Sequence, residues 1–254
     1  MTDTVLTEFG DGIAVITINR PEVRNAIDRV TARGIAAAVD EFEGRSDLVV
    51  GILTGAGGTF CSGMDLEAFL RGEAPLVRGR GFGGLVERPP TKPLIAAVEG
   101  WALAGGFELA LSADLIVASR TARFGIPEVK RGLVAAAGGL LRLPKTLPYQ
   151  LAMQIALTGE PLSAVDGHRY GLVNVLSEPG AAVADARELA MRIACNAPLA
   201  VEATKQIVAG AARWVDAEGF AAQEQAVAKV LASQDAREGA RAFAEKRAPR
   251  WQGR

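Results

Sequence analysis

The feature that most restricts the fold of this chain is a succession of apolar strands, glycine-rich turns and helices. It is clearest where a strand at residues 94–98 leads through a turn at 100–106 into a helix at 107–112 and a further strand at 115–118. Strands that alternate with helices argue for an α/β fold. The pattern alone does not choose among the α/β folds.

The N-terminal part begins with a predicted β-hairpin. Two alternating runs, residues 4–9 and 13–18, flank a Gly-Asp-Gly turn at 10–12, and such a pair of runs is typical of a hairpin. Helical periodicity follows over residues 26–42, and an apolar run at 49–54 predicts the next strand.

Two later stretches are less regular. Residues 70–91 scatter glycines and prolines among charges and predict a mobile segment with about one helical turn. Ser163 with Asp166 three residues later is a capping-box signal for a helix that Gly171 ends. Residues 172–176 can then form one more strand.

The chain divides into a strand-rich part, residues 1–180, and a helical part, residues 181–254. From Ala184 onward the pattern predicts three helices, broken near Pro198 and at residues 214–219. A length of 254 residues suits one compact core with a terminal appendage. We therefore expect one α/β core followed by a helical region.

Composition excludes several classes of protein. The chain is 49% hydrophobic and 22% charged, which is ordinary for a packed globular protein and unlike a disordered one. Its net charge of -1 and the lack of a basic stripe predict that nucleic acid is not a partner. Cys61 and Cys195 lie far apart in the sequence and suggest no disulfide framework.

The sequence predicts no membrane segment. Residues 1–4 carry neither a basic start nor an apolar signal core. The most apolar stretch, residues 94–118, is interrupted by Glu99, Glu108 and Asp114 and does not suit a membrane span. By elimination, we expect a cytoplasmic protein.

Residues 104–108, Ala-Gly-Gly-Phe-Glu, hold the first candidate for chemistry. Glycines after a strand let a ligand approach the backbone, and the first N–H groups of a helix are unpaired and favour negative charge. This arrangement suits an oxyanion, with the carboxylate of Glu108 close by. From spacing alone, a tight turn followed by a charge at a helix start is an equally good interpretation.

Glu128 is the second candidate, in the run Phe-Gly-Ile-Pro-Glu at 124–128. Two carboxyl groups that share a pocket are a reasonable general acid/base pair. Taken alone, Glu128 is more simply a solvated loop charge. Its spacing from Glu108 does not prove that the two carboxyl groups converge.

Three other motifs carry little chemistry. Ser62 lies outside a Gly-x-Ser-x-Gly elbow, and the only histidine, His168, falls on a predicted surface helix. A Ser-His-Asp triad and a histidine-based metal site are therefore not expected, and we predict no bound metal. The glycines at 79–84 spell Gly-x-Gly-x-x-Gly but follow no clear strand, so they do not predict a dinucleotide site.

A set of short motifs occurs in one order along the chain: Ile18-Asn19-Arg20-Pro21 with Asn25-Ala26, Phe60-Cys61-Ser62-Gly63-Met64-Asp65-Leu66, Ile95-Ala96-Ala97-Val98-Glu99-Gly100, Ala104-Gly105-Gly106-Phe107-Glu108-Leu109-Ala110, Ala113-Asp114, Phe124-Gly125-Ile126-Pro127-Glu128, Gly138-Gly139, Leu157-Thr158-Gly159, Gly171-Leu172-Val173 and Ala242-Phe243-Ala244-Glu245-Lys246-Arg247. In these motifs the chain resembles the enoyl-CoA hydratase/isomerase (crotonase) superfamily over nearly its whole length. Within that superfamily it looks most like carnitinyl-CoA dehydratases and the enoyl-CoA hydratases near them.

The resemblance implies a spiral of ββα turns followed by a C-terminal helical region that packs into trimers or hexamers. It implies a coenzyme A thioester as the substrate, with no separate cofactor. In the superfamily two backbone N–H groups polarise the thioester carbonyl, and the matching positions are Met64 and Gly105. Two glutamates hold the water that adds across the α,β double bond, and Glu108 and Glu128 match both of them.

The resemblance thus favours an enoyl-CoA hydratase or dehydratase with Glu108 and Glu128 as its acid/base pair. It places further contacts with the acyl-CoA in the N-terminal segment, in the oxyanion-hole segment and in the C-terminal motif. These expected binding residues are Arg24, Ala26, Ser62, Asp65, Leu66 and Lys246. For Lys246, a solvated helix lysine is an equally good interpretation.

Some positions depart from the superfamily pattern. Ala104 stands where a glycine is frequent, and alanines at 135–137 replace a Pro-Gly-Ala run beside the expected water. Glu67 stands where a lysine is common, which weakens phosphate recognition at that point. Two alternatives therefore stay open: an enoyl-CoA isomerase or other crotonase-type reaction, and a non-catalytic acyl-CoA-binding or scaffold protein.

Overall fold

The computed structural model describes residues 3–211 and 216–254, without the side chains of 216 and 217. Strands and helices alternate along the chain as far as residue 177, which confirms the α/β prediction. In chain order the elements are β1 (Val5–Gly10), β2 (Ile13–Ile18), α1 (Arg29–Gly44), β3 (Val50–Gly55), α2 (Leu66–Leu70), β4 (Leu76–Val77), β5 (Gly81–Phe82), β6 (Leu94–Val98), β7 (Trp101–Leu103), α3 (Gly105–Ala110), β8 (Leu115–Ser119), β9 (Arg123–Gly125), α4 (Gly139–Thr146), α5 (Tyr149–Thr158), β10 (Leu162–Ser163), α6 (Ala164–Arg169), β11 (Val175–Ser177), α7 (Ala182–Ala194), α8 (Pro198–Ala211), α9 (Asp216–Ala232) and α10 (Gln234–Ala244).

A six-stranded sheet with the strand order β1-β2-β3-β6-β8-β11 forms the centre of the fold. β1 and β2 pair in antiparallel fashion, which confirms the predicted hairpin, and each later strand joins its neighbour in parallel. Parallel neighbours need crossover connections, and α1 supplies the one between β2 and β3.

Alternate side chains of this sheet face two different layers, as the two-residue period of a strand requires. On one face, Ile16 and Leu53 pack in a cluster with Ile35 of α1. On the other face, Ile52 packs in a cluster with Ala186 of α7. Burying a side chain of the size of leucine or isoleucine contributes roughly 1.5–3 kcal/mol, so both layers hold the sheet in place.

A second sheet, with the strand order β10-β9-β7, sets the geometry around the candidate residues. An isolated parallel bridge joins Ala102 of β7 to Cys61. The rings of Phe107 in α3 and Phe124 in β9 lie 5.2 Å apart between centroids, which fixes α3 on this sheet. The chain after β3 and the chain after β6 therefore run side by side.

The helix predicted at 26–42 begins later, at Arg29. Ile27 pairs with Met64 in a parallel bridge, and the side chain of Asp28 caps the first helical turn. Residues 26–28, which periodicity alone assigned to the helix, are therefore held outside it by pairing with a distant segment and by the cap.

Other boundaries also shift by a few residues. The turn predicted at 100–106 contains β7, and α3 starts at Gly105 instead of residue 107. The strand predicted at 172–176 is β11, which begins later than predicted. Ser163 caps α6 by accepting a backbone hydrogen bond, as the capping-box signal predicted.

Within the segment predicted to be mobile, residues 81–86 are buried, which the sequence did not predict, whereas most of residues 70–79 are exposed. β4 and β5 form a short antiparallel ribbon, and Phe82, Leu85 and Val86 are buried in the main core. Apolar residues scattered among glycines show no regular period, so pattern analysis could not find this part of the core.

The described part of the C-terminal region holds four helices, α7 to α10, where three were predicted. Ser233 caps the additional helix, α10, by accepting a backbone hydrogen bond. The first predicted break lies near Pro198, between α7 and α8. Of the second, at 214–219, residues 214–215 lie outside the described residues and Gly219 lies inside α9.

The helices of this region differ in what they pack against. α7 lies on the six-stranded sheet, whereas α9 contacts mainly α8 and α10. The suggested boundary after residue 180 falls between β11 and α7, and the division into two parts stays a prediction. Residues 1–2 lie outside the described residues; among those described, no helix is both long and apolar enough to cross a membrane.

Candidate active site

The segment that follows β3 is held between two neighbouring segments. On one side, the N–H of Ile27 donates to the carbonyl of Gly63 at 2.8 Å. On the other side, the N–H of Leu103 donates to the carbonyl of Cys61 at 3.0 Å. This pairing fixes the backbone at Met64 without using the methionine side chain.

Gly63 lets this segment approach the start of α3. Its φ of +101° lies in the left-handed region, and an added Cβ would stand 3.2 Å from the nitrogen of Gly105. The backbone nitrogens of Met64 and Gly105 therefore belong to adjoining segments. Within the described residues, neither N–H donates a hydrogen bond to another protein group.

Ala104 carries backbone strain beside these groups. Its φ of +51° and ψ of −129° are rarely adopted by residues with a side chain, and such conformations cost about 1–3 kcal/mol. Its N–H donates to the carbonyl of Gly125 at 2.8 Å, which ties it to β9. The surrounding structure thus holds a conformation that alanine disfavours, directly before α3.

Arg20 stabilises the same region, although sequence analysis did not select it. Its guanidinium donates to the carbonyl of Ala26 at 2.6 Å and to the carboxylate of Asp65 at 3.0 Å, and Asp28 lies 3.3 Å away. Burial tends to raise the pKa of Asp65, but hydrogen bonds from Ala68 and Arg20 lower it below its usual value. The only hint in the sequence was the place of Arg20 in the Ile-Asn-Arg-Pro motif.

Glu108 is buried on α3, with 2% of its surface exposed. Its Oε1 accepts hydrogen bonds from the N–H groups of Ala137 and Gly139, both at 2.8 Å. Burial raises the pKa of Glu108, and these two hydrogen bonds and the positive charge of Arg142 oppose that rise. The carboxyl group is therefore fixed through one oxygen.

Glu128 lies in a 3-10 helix, Pro127–Arg131, that follows β9. Its Oε2 is buried and has no hydrogen-bond partner among the described residues. Burial raises the pKa of Glu128, and a hydrogen bond from its own backbone N–H lowers it; the negative charge of Glu108 raises it again, while Arg131 lowers it. The Oε2 of Glu128 thus lacks the pair of hydrogen bonds that the Oε1 of Glu108 accepts.

The two carboxyl groups lie close enough for one charge to act on the other. Gly139 lies between the side chain of Glu108 and the side chain of Ile126, close to Glu128 in the sequence. A Cβ added there would stand 2.9 Å from Cγ of Glu108 and 3.1 Å from Cδ1 of Ile126, which precedes Glu128 by two residues. The two glutamates, 20 residues apart in the sequence, thus lie within electrostatic range of each other in the structure.

The ring of Phe82 packs directly against Gly105, so a side chain at Gly105 would overlap it. Phe82 belongs to the glycine-rich run that the sequence excluded as a dinucleotide site. In the structure this run packs the ring of Phe82 against the first residue of α3.

Two residues considered for other chemistry are tied to backbone carbonyls. The hydroxyl of Ser62 lies 3.5 Å from the carbonyl of Val23, and Nδ1 of His168 lies 2.8 Å from the carbonyl of Val173. In the described ranges, no group of three or more side chains is placed to hold a metal ion.

Comparison with known proteins identifies the family. The model of the enoyl-CoA hydratase/isomerase family matches residues 8–254. The chain belongs to the enoyl-CoA hydratase/isomerase family. Its fold agrees with that of solved family members, so the crotonase-like fold expected from the sequence is confirmed.

Three relatives of this hydratase/isomerase family illustrate the match. Carnitinyl-CoA dehydratase from Salmonella typhi is 44% identical over 250 residues, which cover 95% of each chain. The structure of an enoyl-CoA hydratase from Mycobacterium tuberculosis H37Rv has a TM-score of 0.97 and 58% identity, over 99% of this chain and 100% of the other. The structure of a carnitinyl-CoA hydratase from Mycobacterium avium has a TM-score of 0.80 and 42% identity, over 100% of both chains.

Most of the residues expected to contact the substrate of a hydratase/isomerase lie in two hydrogen-bonded segments, residues 24–27 and 61–66. The N–H of Ser62 donates to the carbonyl of Arg24 at 3.0 Å, and Ala26 is buried. Asp65 caps α2 and binds Arg20, so its side chain is already engaged. Leu66 is 47% exposed and begins α2.

Lys246 lies apart from that group, just after α10, with a φ of +53°. Within the described residues its ammonium group makes no hydrogen bond or ion pair, whereas the neighbouring Arg247 is held by Glu238. Its expected contact with the acyl-CoA of a hydratase/isomerase stays a prediction.

Proposed function

We propose that the chain is an enoyl-CoA hydratase/dehydratase, which adds water across the α,β double bond of an acyl-CoA thioester or removes it. The observation that carries the proposal is the contrast between two carboxyl groups: that of Glu108 is buried and bound by two backbone N–H groups, whereas Glu128 is half-buried and its buried Oε2 has no partner among the described residues. Hydration needs one group that takes a proton from water and another that delivers a proton to carbon. The names of the relatives, which are enoyl-CoA hydratases and carnitinyl-CoA dehydratases, agree with this reaction.

The thioester carbonyl is bound by the N–H groups of Met64 and Gly105. Both belong to adjoining backbone segments and neither donates to a protein acceptor in the described structure. As negative charge develops on the carbonyl oxygen, fixed donors in a buried site stabilise it with little reorganisation. The segment pairing around Gly63 supplies that rigidity.

Glu108 acts as the base and Glu128 as the acid. Two backbone hydrogen bonds and the charge of Arg142 favour the ionised form of Glu108, whereas the buried Oε2 of Glu128 has no partner and favours the protonated form. Glu108 takes a proton from water while the water oxygen bonds to Cβ. The electrons of the double bond move to the enolate, and Cα then takes the proton of Glu128.

This sequence of steps adds one water molecule and leaves the proton on the other carboxyl group. Exchange of that proton between Glu108 and Glu128, or with solvent, restores the starting state. Dehydration is the same sequence in reverse, so a single site serves both directions. The hydrogen bond from the N–H of Ala137 to Glu108 supports a working site despite the alanines at 135–137.

The coenzyme A part of the substrate extends from this site along Arg24, Ala26, Ser62 and Leu66. Arg24 is exposed and follows a 3-10 helix with left-handed backbone, so its cation is available to a phosphate. Asp65 takes part by fixing the segment through Arg20 instead of touching the substrate.

The assembly is a trimer or a hexamer. Single-chain packing leaves large apolar side chains exposed on the C-terminal helices, among them Phe220 at 71%, Leu231 at 70% and Phe243 at 88%. Surfaces of this kind are typical of subunit interfaces. Lys246, beside Phe243, then reaches the coenzyme A of a neighbouring subunit. Light scattering that finds a stable monomer at micromolar concentration contradicts this proposal.

The decisive experiment follows hydration of crotonyl-CoA, of longer enoyl-CoAs and of the trimethylammonium-bearing enoyl-CoA that dehydration of carnitinyl-CoA yields. Loss of the conjugated-thioester absorbance measures the rate. A β,γ-enoyl-CoA, which gains that absorbance on isomerisation, is the comparison substrate. Isomerisation without hydration, or binding without either reaction, would overturn the proposal. A cytoplasmic location and the absence of a nucleic-acid partner stay predictions.

A further inference from the structure

Arg142 lies in α4, one turn after the loop that binds Glu108. Its N–H donates to the carbonyl of Gly138 at 3.0 Å, and its side chain folds back over the same residue. A Cβ at Gly138, whose φ is +96°, would overlap the guanidinium. The helix therefore begins with a glycine that leaves room for the arginine.

The guanidinium joins two different segments. One N–H donates to the carbonyl of Val86 at 2.5 Å, and another donates to the carbonyl of Ala137 at 3.4 Å. Val86 is buried in the segment that also carries Phe82, whose ring lies on Gly105. Ala137 is one of the two residues whose N–H groups bind Glu108.

The same cation faces the carboxyl group of Glu108. Two other charged groups act in this region. Glu128 acts on Glu108 from the 3-10 helix after β9, and Arg131 acts on Glu128 from the same helix. Of the two cations, Arg142 is the one whose charge acts on Glu108.

We propose that Arg142 is a positioning residue that joins the Phe82–Val86 segment to the loop at 137–139 and so holds Glu108 in place as an anion. Its guanidinium binds backbone carbonyls, so we assign its effect to the placement of Glu108 and not to contact with the substrate. The consequence for catalysis rests on the proposed function, whereas the effect on Glu108 does not. A lysine at this position supplies the charge but lacks the planar fork that binds two carbonyls at once.

The proposal is tested by carbon-13 NMR titration of the glutamate side-chain carboxyls. The Glu108 signal is assigned by its loss in Glu108→Gln, and the amide signals of Ala137 and Gly139 report the loop. In Arg142→Met we expect the Glu108 midpoint to move to higher pH and both amide signals to shift. Lys145, exposed on the same helix, supplies the matched control Lys145→Met, which should change none of these signals.

Arg142→Lys separates charge from geometry and serves if Arg142→Met does not fold. It should leave the Glu108 midpoint near that of the natural chain but still shift the amide signals. An unchanged midpoint in a folded Arg142→Met protein overturns the proposal. So does an Arg142→Lys protein in which neither the midpoint nor the amides change.

Kinetics give the second readout. Displacing a reacting group by about 1 Å can cost on the order of 100-fold in rate, so Arg142→Met should lower kcat by roughly 10- to 100-fold with a smaller effect on KM. The acid limb of kcat/KM should move to higher pH, because Glu108 must be ionised. If the natural chain does not hydrate enoyl-CoAs, the proposed function fails, and the titration still decides the role of Arg142. A fall in kcat with an unmoved acid limb and an unmoved Glu108 midpoint counts against it.

Discussion

The candidate site has two walls that are built in different ways. The donor wall, formed by Met64 and Gly105, consists of backbone groups held by strand-like pairing with residues 24–27 and with β7. The carboxyl wall, formed by Glu108 and Glu128, consists of side chains held by hydrogen bonds or left unpaired. One wall depends on where the chain runs, and the other depends on which residue stands at two positions.

This difference shows which substitutions each wall tolerates. The donors of the donor wall are backbone N–H groups, so their presence does not depend on the side chains at Met64 and Ala104. The carboxyl wall has no such freedom, since a proton can only be transferred by an ionisable group. The two walls therefore predict different responses to substitution.

The largest expected effect is on the carboxyl wall. Glu108→Gln and Glu128→Gln keep the shape of the side chain but remove proton transfer, and each should lower the hydration rate by roughly 10²–10⁴-fold. The double variant should lose far less than the product of the two effects, because the groups act on one water molecule. Steady-state hydration of crotonyl-CoA measures all three.

The control is Glu188→Gln, which alters an exposed glutamate on α7. Binding of an acyl-CoA should persist in both active-site variants, because the donor wall is intact. If neither Glu108→Gln nor Glu128→Gln slows hydration, the acid/base assignment is wrong. If Glu108→Gln alone does so, Glu128 is not part of the reaction.

The next largest effect concerns the donor wall. Gly105→Val crowds the carbonyl site and overlaps the ring of Phe82. Loss of one oxyanion donor typically costs about 10²–10³-fold in kcat, and we expect a loss of at least that size. Gly10→Val, in open space on β1, is the matched control.

A second variant separates the two causes of that loss. Adding Phe82→Leu to Gly105→Val makes room for the new side chain without clearing the carbonyl site. We expect melting temperature to recover and turnover to stay low. Recovery of turnover would show that the ring, and not the carbonyl site, had been disturbed.

A smaller effect is expected at Ala104. Because its backbone lies in a region that glycine adopts more easily, Ala104→Gly should relieve strain of about 1 kcal/mol. For a domain of this size, that corresponds to a rise in Tm of roughly 2–4 °C. Thermal unfolding followed by circular dichroism measures the shift, and a lower Tm would show that the turn is not strained.

The smallest effect concerns the stability of the carboxyl wall as a function of pH. The pKa of Glu128 is raised above its ordinary value of 4.5 in the folded chain. A raised pKa means that the folded state holds the proton more tightly, so this stabilisation is present at low pH and is lost as pH rises through the folded pKa. Glu128→Gln, which stays neutral, should therefore gain Tm relative to the natural chain as pH rises from about 4 to 8.

Glu108 provides the comparison for that measurement. Its anion accepts two backbone hydrogen bonds, so Glu108→Gln exchanges charge-assisted bonds for weaker ones. The gain in Tm at high pH should be smaller for this variant than for Glu128→Gln. The opposite order would reverse the assignment of acid and base.

For the donor wall, the sequence predicted unpaired backbone N–H groups but not the strand and the arginine that hold them. Glycines at 105 and 106 after an apolar strand indicated unpaired N–H groups, and α3 does begin at Gly105. Pattern analysis missed β7, because a three-residue strand in a glycine-rich stretch has no measurable period. It also missed Arg20, whose partners Ala26 and Asp65 come together only in the fold.

The carboxyl wall shows the opposite limit. Residues 108 and 128 could be chosen as a pair only through the family resemblance, because spacing along the chain says nothing about distance across two sheets. The donors to Glu108 come from the alanine–glycine loop at 137–139, which begins in the run of alanines that departs from the superfamily pattern. Backbone N–H groups are present at every residue except proline, so composition could not reveal which of them point at a carboxylate.

The rate at which a thiol reagent modifies the buried Cys61 can report how often the donor wall opens. Burial raises the pKa of the Cys61 thiol to about 12, and that thiol is enclosed while Cys195 is exposed. A thiol reagent should therefore modify Cys195 at once and reach Cys61 only when the segment carrying Met64 separates from α3. When reclosing is faster than modification, the ratio of the two rates gives the free energy of that opening, in the same way that protected amides report local unfolding. Cys61 is thus the probe and Cys195 the reference. A bound acyl-CoA that bridges the two segments should slow the modification of Cys61.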